Sequence, residues 1–266
     1  MGGDDLGSDD EYLTVPSGGL DDYSDNLSVD DEHDAQNNQS EQSRKRQEKG
    51  DVDSNQSVQK KKSKKRGGPM EVLGSKIRFE SAESKAEILS EYAGVDFYAS
   101  HIARASNKNK EYVNSDIESE NFKDRLLCLI SKKQLKSKLQ QRSPRAVIFC
   151  LSARRSVAIL KDLAPMRLRI AKLFPKQGTI GDQARQLENT EFSLAVGTPH
   201  RIKELIDRKS MTLKNTQLLG LDTFLNSKNQ SVYTLHDTTP FLKAILKDHA
   251  QPVCNMKEKK LKIGFV

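Results

Sequence analysis

Three short stretches carry residue types that can grip a phosphate. Gly197-Thr198-Pro199-His200-Arg201 follows the apolar run FSLAV at 192–196, and Leu151-Ser152-Ala153-Arg154-Arg155-Ser156 follows AVIFC at 146–150. Between them lies Gln177-Gly178-Thr179-Ile180-Gly181-Asp182-Gln183. A proline near a helix start gives up no N–H the helix needs, and a threonine before it can cap. The remaining N–H groups and the positive helix end then face outward. Arg201, one residue past His200, can add charge-assisted bonds to a phosphate, and Arg154 and Arg155 open a neighbouring helix. Groups of this kind hold phosphate or sugar and position a strand without reading its sequence. An ordinary capped helix with solvated arginines has the same local pattern, so the three loops matter as a set.

Other chemistries find little support. The five histidines, at 33, 101, 200, 236 and 249, are scattered, and no G-x-S-x-G elbow is present. No C-x-x-C or H-x-x-x-H pair exists, so no metal is expected. Cys128, Cys150 and Cys254 are widely spaced and odd in number, which suits small hydrophobes in a reducing compartment better than a disulfide framework.

The elements that must position the loops can be read from periodicity. Ala146–Leu151 is a continuous apolar strand of the kind buried on both faces of a parallel sheet. Further strands are expected at 168–174, 192–196, 216–221 and 262–266. Helices are expected at 153–164, 180–188, 199–209 and 239–250, the last with Thr239 as cap and Pro240 in the first turn. Upstream, 83–105 reads as one or two amphipathic helices with Gly94 as a break. Asn121 caps a helix from Phe122 to about Gln140. Strands alternating with helices of this length give βαβ units, hence a three-layer α/β domain with a parallel sheet and helices on both faces.

In order and spacing, the loops resemble the first RecA-like domain of DEAD-box RNA helicases, whose corresponding loops read roughly PTREL, GTPGR and LDEAD. Leu219-Gly220-Leu221-Asp222-Thr223-Phe224 stands for the last of these, and 177–183 is similar to that family's glycine-containing RNA-contact stretch. The resemblance covers about 143–266, with GTPHR its most specific part. It implies RNA contact by Ser152, Arg154, Arg155, Gly178, Thr179, Gly197, Thr198, Pro199, His200 and Arg201. It does not extend to catalysis. The phosphate loop A-x-x-G-x-G-K-T is missing, because its place at 116–134 holds no glycine. Asp222 matches the first acid of the acidic motif, but Thr223 and Leu225 replace the next two. No second RecA-like domain is expected after KIGFV. The expected protein is therefore neither a helicase nor an ATPase, and no cofactor is implied.

Charge is strongly polarised along the chain. Residues 1–34 contain twelve Asp/Glu and no Lys/Arg, whereas 44–66 contain ten Lys/Arg and three acids. Residues 1–70 lack the aliphatic content to offset ordering entropy and read as a disordered tail, acidic then basic. Residues 71–120 follow as a helical extension and linker, and 121–266 as the degenerate RecA-like domain. Within the tail, Ser8 and Ser28 precede acids in the manner of acidophilic kinase sites. Arg44, Lys45 and Arg46, with Lys60, Lys61, Lys62, Lys64, Lys65 and Arg66, form a bipartite basic run suited to nuclear import. No run of eighteen apolar residues occurs, so no membrane span or membrane partner is expected. The N-terminus lacks the basic and apolar regions of a secretory signal.

A polarised tail, a basic bipartite run and a pseudo-helicase domain containing VGTPHRIKELI and LLGLD together resemble the eukaryotic Cms-type family of small ribosomal subunit biogenesis. That resemblance implies a nuclear, nucleolar, non-enzymatic component of early pre-ribosomal particles, partnered by pre-ribosomal RNA and small-subunit assembly proteins. Two other readings compete with an RNA-associated scaffold. One is a protein-interaction module without direct RNA contact. The other is a degenerate but active nucleotidase, which magnesium-dependent ATP turnover would reveal.

Overall fold

The computed structural model describes residue 70 and residues 73–104, 121–256, 258 and 260–266, all within one compact unit spanning Lys62–Val266. The acidic and basic tail, Ser8 and Ser28, both basic clusters and residues 105–120 of the expected extension and linker lie outside the described residues. Five strands form one parallel sheet: β1 Ala146–Phe149, β2 Ile170–Leu173, β3 Leu194–Gly197, β4 Leu218–Leu221 and β5 Lys262–Phe265. Their order across the sheet is β2-β3-β1-β4-β5. The three-layer parallel α/β class read from the apolar runs is what the chain adopts.

The continuous apolar run of β1 serves both faces. Ala146, Ile148 and Cys150 enter one cluster with Phe122, Leu126, Ile159 and Leu163. Val147, Phe149 and Leu151 enter the other, with Leu89, Ile202, Leu205 and Leu246. Each leucine-sized side chain withdrawn from water in this way contributes about 1.5–3 kcal/mol. The first cluster is covered by α2 Phe122–Leu129, α3 Lys132–Lys136 and α4 Ala153–Leu163. The second is covered by α1 Ala82–Ala93, α5 Ile180–Asn189, α6 Pro199–Asp207 and α7 Thr239–Ala244. The helical extension thus packs on the sheet through Ala86 and Leu89 of α1.

Several boundaries differ from expectation for identifiable reasons. α1 ends at Gly94, and the chain then turns through Ala99–His101 to place Ile102 beside Ile263 in a parallel bridge that extends the sheet past β5. The helix expected to run from 122 to 140 is two helices. Ser131 interrupts it, exchanging hydrogen bonds with Gln134 in a capping box that restarts the chain as α3. Asn121 does cap α2, accepting from the Lys123 N–H at 2.9 Å. For α7 the cap position is Thr238, with Thr239 and Pro240 already helical. Beyond Ala244 the backbone widens into a π turn, Ile245–Ala250, before the short helix α8, Gln251–Cys254.

The cysteines behave as packing residues. Burial pushes the Cys150 thiol up to about 12, opposed by its contact with the Ser156 hydroxyl, and burial likewise pushes Cys254 up to about 12. Both thiols are held protonated, and therefore unreactive, at neutral pH. Titration of the native protein with a chromogenic disulfide reagent near neutrality is expected to label the half-buried Cys128 first. Cys150 and Cys254 should react only on unfolding, and their rapid labelling in the native state would contradict this packing.

Candidate nucleic-acid interface

Because every strand of the sheet is parallel, the loops after β1, β2, β3 and β4 all emerge on its carboxyl edge. Ligands of open α/β sheets bind along that edge. In spatial order the edge presents Gly178-Thr179, then Thr198–Arg201, then Ser152–Arg155, then Asp222. All ten residues expected to contact RNA are therefore on one side of the molecule. Their side chains, however, have distinct employments.

Ser152 caps α4, its hydroxyl accepting the Arg155 N–H at 3.2 Å. Arg154, beside it, is exposed to solvent. Arg155 turns inward instead. Its Nε donates to Asp222 Oδ2 at 2.8 Å and its Nη2 to Asp222 Oδ1 at 3.0 Å, a two-pronged pair. The Asp222 side chain is 0% exposed and that of Arg155 14%, and among the described residues Asp222 is the one buried carboxylate. Burial works against the Arg155 charge. The hydrogen bonds to Asp222 and that carboxylate's charge outweigh it and raise the guanidinium above the ordinary arginine value. The guanidinium also lies 4.4 Å from the ring centre of Phe224, two residues past Asp222.

Arg201 is likewise engaged. Its Nη1 donates to the Gly178 carbonyl at 3.1 Å and to Gln183 Oε1 at 2.9 Å. It thereby ties the loop after β3 to the loop after β2. Gly178 sits at φ +120°, where a side chain would be strained, so glycine is what allows its carbonyl to face Arg201. Thr179 caps α5 in a reciprocal box with Asp182, its hydroxyl donating to Asp182 Oδ2 at 2.7 Å. That bond, followed by Arg185, holds the Asp182 carboxyl below the ordinary carboxylate value.

At the start of α6, Thr198 occupies the cap position and Pro199 the first turn, as the sequence suggests. The Thr198 hydroxyl makes no capping bond, which corrects the expected role of that side chain. The first-turn N–H groups of α6 consequently receive no side-chain cap. His200 is exposed, with its ring edge-on to Phe241 at 4.6 Å between centres. Gly197 is buried at the end of β3, in register with Leu173 of β2.

Sequence reasoning missed two features of this edge. One is the inward turn of Arg155 and Arg201. The other is the exposure of Phe224, 43%, and of Phe79, 54%, in the turn Gly74–Phe79. Among the described residues, no three His, Cys, Asp or Glu side chains converge on a cation site, and no helix is long and apolar enough to cross a membrane.

Fold and edge together define a parallel α/β domain whose strand-end loops are basic, with the lone buried carboxylate there neutralised from within. Residues 118–266 match the family model described as CMS1, U3-containing 90S pre-ribosomal complex subunit. The chain belongs to that family of ribosome-biogenesis proteins. Among curated relatives, Protein CMSS1 of Homo sapiens is 28% identical over 133 residues, covering 49% of this chain and 47% of that protein. Protein CMSS1 of Xenopus laevis is 28% identical over 123 residues, covering 46% and 44%. Protein cms1 of Schizosaccharomyces pombe is 28% identical over 136 residues, covering 49% and 48%. The chain spans about half the length of the curated relatives it matches. Among solved structures, a DEAD box protein from Methanococcus jannaschii aligns with a TM-score of 0.37 at 20% identity, covering 49% of this chain and 32% of that one.

Proposed function

We propose that this protein is a non-enzymatic, RNA-associated assembly factor of the 90S pre-ribosome. It would act in the nucleus, at the nucleolus, with pre-ribosomal RNA and small-subunit assembly proteins as its partners. Its RecA-like domain would use the strand-end loops to hold RNA without moving it. The observation that carries the non-enzymatic part is the Arg155–Asp222 pair. Asp222 is the one acid that survives from the acidic motif of the helicases this chain resembles, and it is buried and bound in two-pronged fashion by an arginine in the first turn of α4. With both oxygens engaged and the side chain buried, a packing role for this carboxylate is favoured over one in holding magnesium or orienting water. Family membership supports the pre-ribosomal setting.

For RNA contact, the exposed positions carry the reading: Arg154, Gly178 and His200, with the uncapped first turn of α6 beside them. Arg155 and Arg201 would support these positions by fixing the loops, with Ser152 and Thr179 as helix caps. Gly197, Thr198 and Pro199 set the turn that presents His200. A salt titration of RNA binding tests this. Arg154→Glu with Lys176→Glu, both at exposed positions on the edge, is expected to weaken binding and to lower the slope of log affinity against log salt by about 2, close to one for each phosphate no longer neutralised. Wild-type affinity and slope in that variant would remove this edge from RNA contact. Affinity purification of the tagged protein, with sequencing of co-purifying RNA, is expected to return small-subunit precursor RNA. Protein partners that remain after nuclease treatment, without any RNA, would favour a protein-interaction module instead.

A further inference from the structure

Two of the four most exposed large apolar side chains among the described residues, Phe224 and Phe79, each have an arginine guanidinium over the ring. Phe224, 43% exposed, follows Asp222 by two residues, and its N–H donates to Asp222 Oδ1 at 3.4 Å. The Arg155 guanidinium, fixed on the same carboxylate, stacks against its ring. Phe79, 54% exposed, has the Arg78 guanidinium 5.3 Å from its ring centre. The turn that carries Arg78 and Phe79 packs on the stretch after Asp222, with the Leu225 side chain against Gly74. The turn bearing Phe79 is fastened to this region, because the Tyr233 hydroxyl donates to the Gly74 carbonyl at 2.7 Å. Next to Arg78 opens a cleft of about 290 Å³ whose charged lining is Arg78, Lys85, Arg104 and Arg125 against Glu80 and Glu83.

Phe224, backed by the guanidinium that Asp222 fixes, is a rigid stacking surface held ready at little ordering cost, and Phe79 has the Arg78 cation over its ring. Apolar rings exposed within a basic surround suit a partner that offers flat aromatic groups and negative charge in alternation. Single-stranded nucleic acid has that composition, with bases for the rings and phosphates for the arginines. Protein interfaces also favour aromatic rings and arginine; the net positive lining of the adjacent cleft, Arg78, Lys85, Arg104 and Arg125 against Glu80 and Glu83, is what favours a polyanion.

We infer that Phe224 and Phe79, with Arg155 and Arg78 behind them, form a base-stacking platform for single-stranded RNA. It continues the carboxyl edge beyond the loops already described. The inference rests on the RNA reading above and adds where the bases, as opposed to the phosphates, are received.

The test is fluorescence anisotropy of the full chain with a labelled single-stranded uridine decamer, between about 50 and about 200 mM salt. Phe224→Ser and Phe79→Ser are each expected to weaken binding about tenfold, the scale of removing one stacked base. The salt slope should stay at the wild-type value, since the same phosphates remain neutralised. Phe224→Tyr should restore affinity, and all variants should melt with the wild type because both rings are at the surface. Loss of affinity restored by the aromatic replacement supports the platform. Serine variants that bind within about twofold of wild type, while Arg154→Glu with Lys176→Glu still weakens binding, would overturn the platform and leave the RNA reading standing. Absence of salt-dependent binding by the wild type would overturn both. Serine variants that keep decamer affinity but lose a nuclease-resistant protein partner would assign the surface to protein docking, against this proposal.

Discussion

Replacement of Asp222 by alanine is expected to lower the unfolding free energy by about 3–5 kcal/mol, the scale for removing one partner of a buried ion pair. The geometry gives the reason. Asp222 has no solvent exposure and receives both prongs of the Arg155 guanidinium. The carboxylate also follows β4 directly, where its N–H donates to the Phe149 carbonyl at 3.0 Å, so it cannot move to water without disturbing the central strands. Removing it strands a mostly buried guanidinium. Arg155→Met is expected to cost a similar amount, because it leaves the carboxylate unpaired in the core. The informative variant combines Asp222→Leu with Arg155→Met. Apolar replacement of both members of such a pair is commonly neutral or stabilising, so most of the loss in the single variants should return. Urea denaturation of the wild type, Asp222→Leu, Arg155→Met and the combined variant closes the cycle, with Asp222→Ala as a second single replacement. Single variants within about 0.5 kcal/mol of wild type, the level of a neutral surface change, would show that the pair is not structural and that Arg155 is available to an outside phosphate.

This pair also ties the end of β4 to the first turn of α4. Thr223 and Leu225 stand where the resemblance would place acids. Thr223 donates its hydroxyl to the Val266 carbonyl at 2.8 Å, closing the end of β5 onto β4. Leu225 faces the backbone of Gly74. Both side chains thus serve packing and the attachment of the turn bearing Phe79.

The strands were legible because a run such as AVIFC, apolar at every position, has few homes other than a sheet covered on both faces. The carboxyl-edge loops were legible for the same reason: parallel strands force their following turns to one side. The roles of individual arginines were not. A basic residue in the first turn of a helix looks the same in sequence whether it faces solvent, as Arg154 does, or a neighbouring loop, as Arg155 and Arg201 do. One signal was available for Arg155. Asp222 directly follows the apolar strand LLGL, and a carboxylate at the end of a buried strand requires a partner. The break between α2 and α3 was also readable, since Ser131-Lys132-Lys133-Gln134 is a capping box in sequence. The exposure of Phe79 and Phe224 was not readable, because it depends on how the turn Gly74–Phe79 settles against residues 222–233.

Gly197→Ala is expected to be about as damaging as breaking the buried pair, through packing alone. At this last residue of β3 an added methyl carbon would lie 2.1 Å from the Leu173 carbonyl oxygen and 2.8 Å from both its carbonyl carbon and its Cβ. The first two of these atoms are backbone, so no side-chain rotation relieves the clash, and β2 would have to separate from β3. Separation would strain the bond from the Thr198 N–H to the Leu173 carbonyl and the turn that leads into α6. A loss of about 3 kcal/mol follows, at the upper end of overpacking costs. It would be read as a lower urea midpoint with an unchanged slope. Because the edge of β3 anchors both the Thr198 turn and the loop that Arg201 ties to Gly178, RNA binding by the folded fraction should weaken as well. Gly181→Ala is the matched control. Its methyl would meet only the Thr179 hydroxyl, at 3.8 Å, within the first turn of α5. That change should stabilise by about 0.5–1 kcal/mol through helix propensity and reduced entropy of the unfolded chain. If both substitutions have the same small effect, β2 and β3 are not in the close contact described, and the basis for placing their two loops side by side is gone.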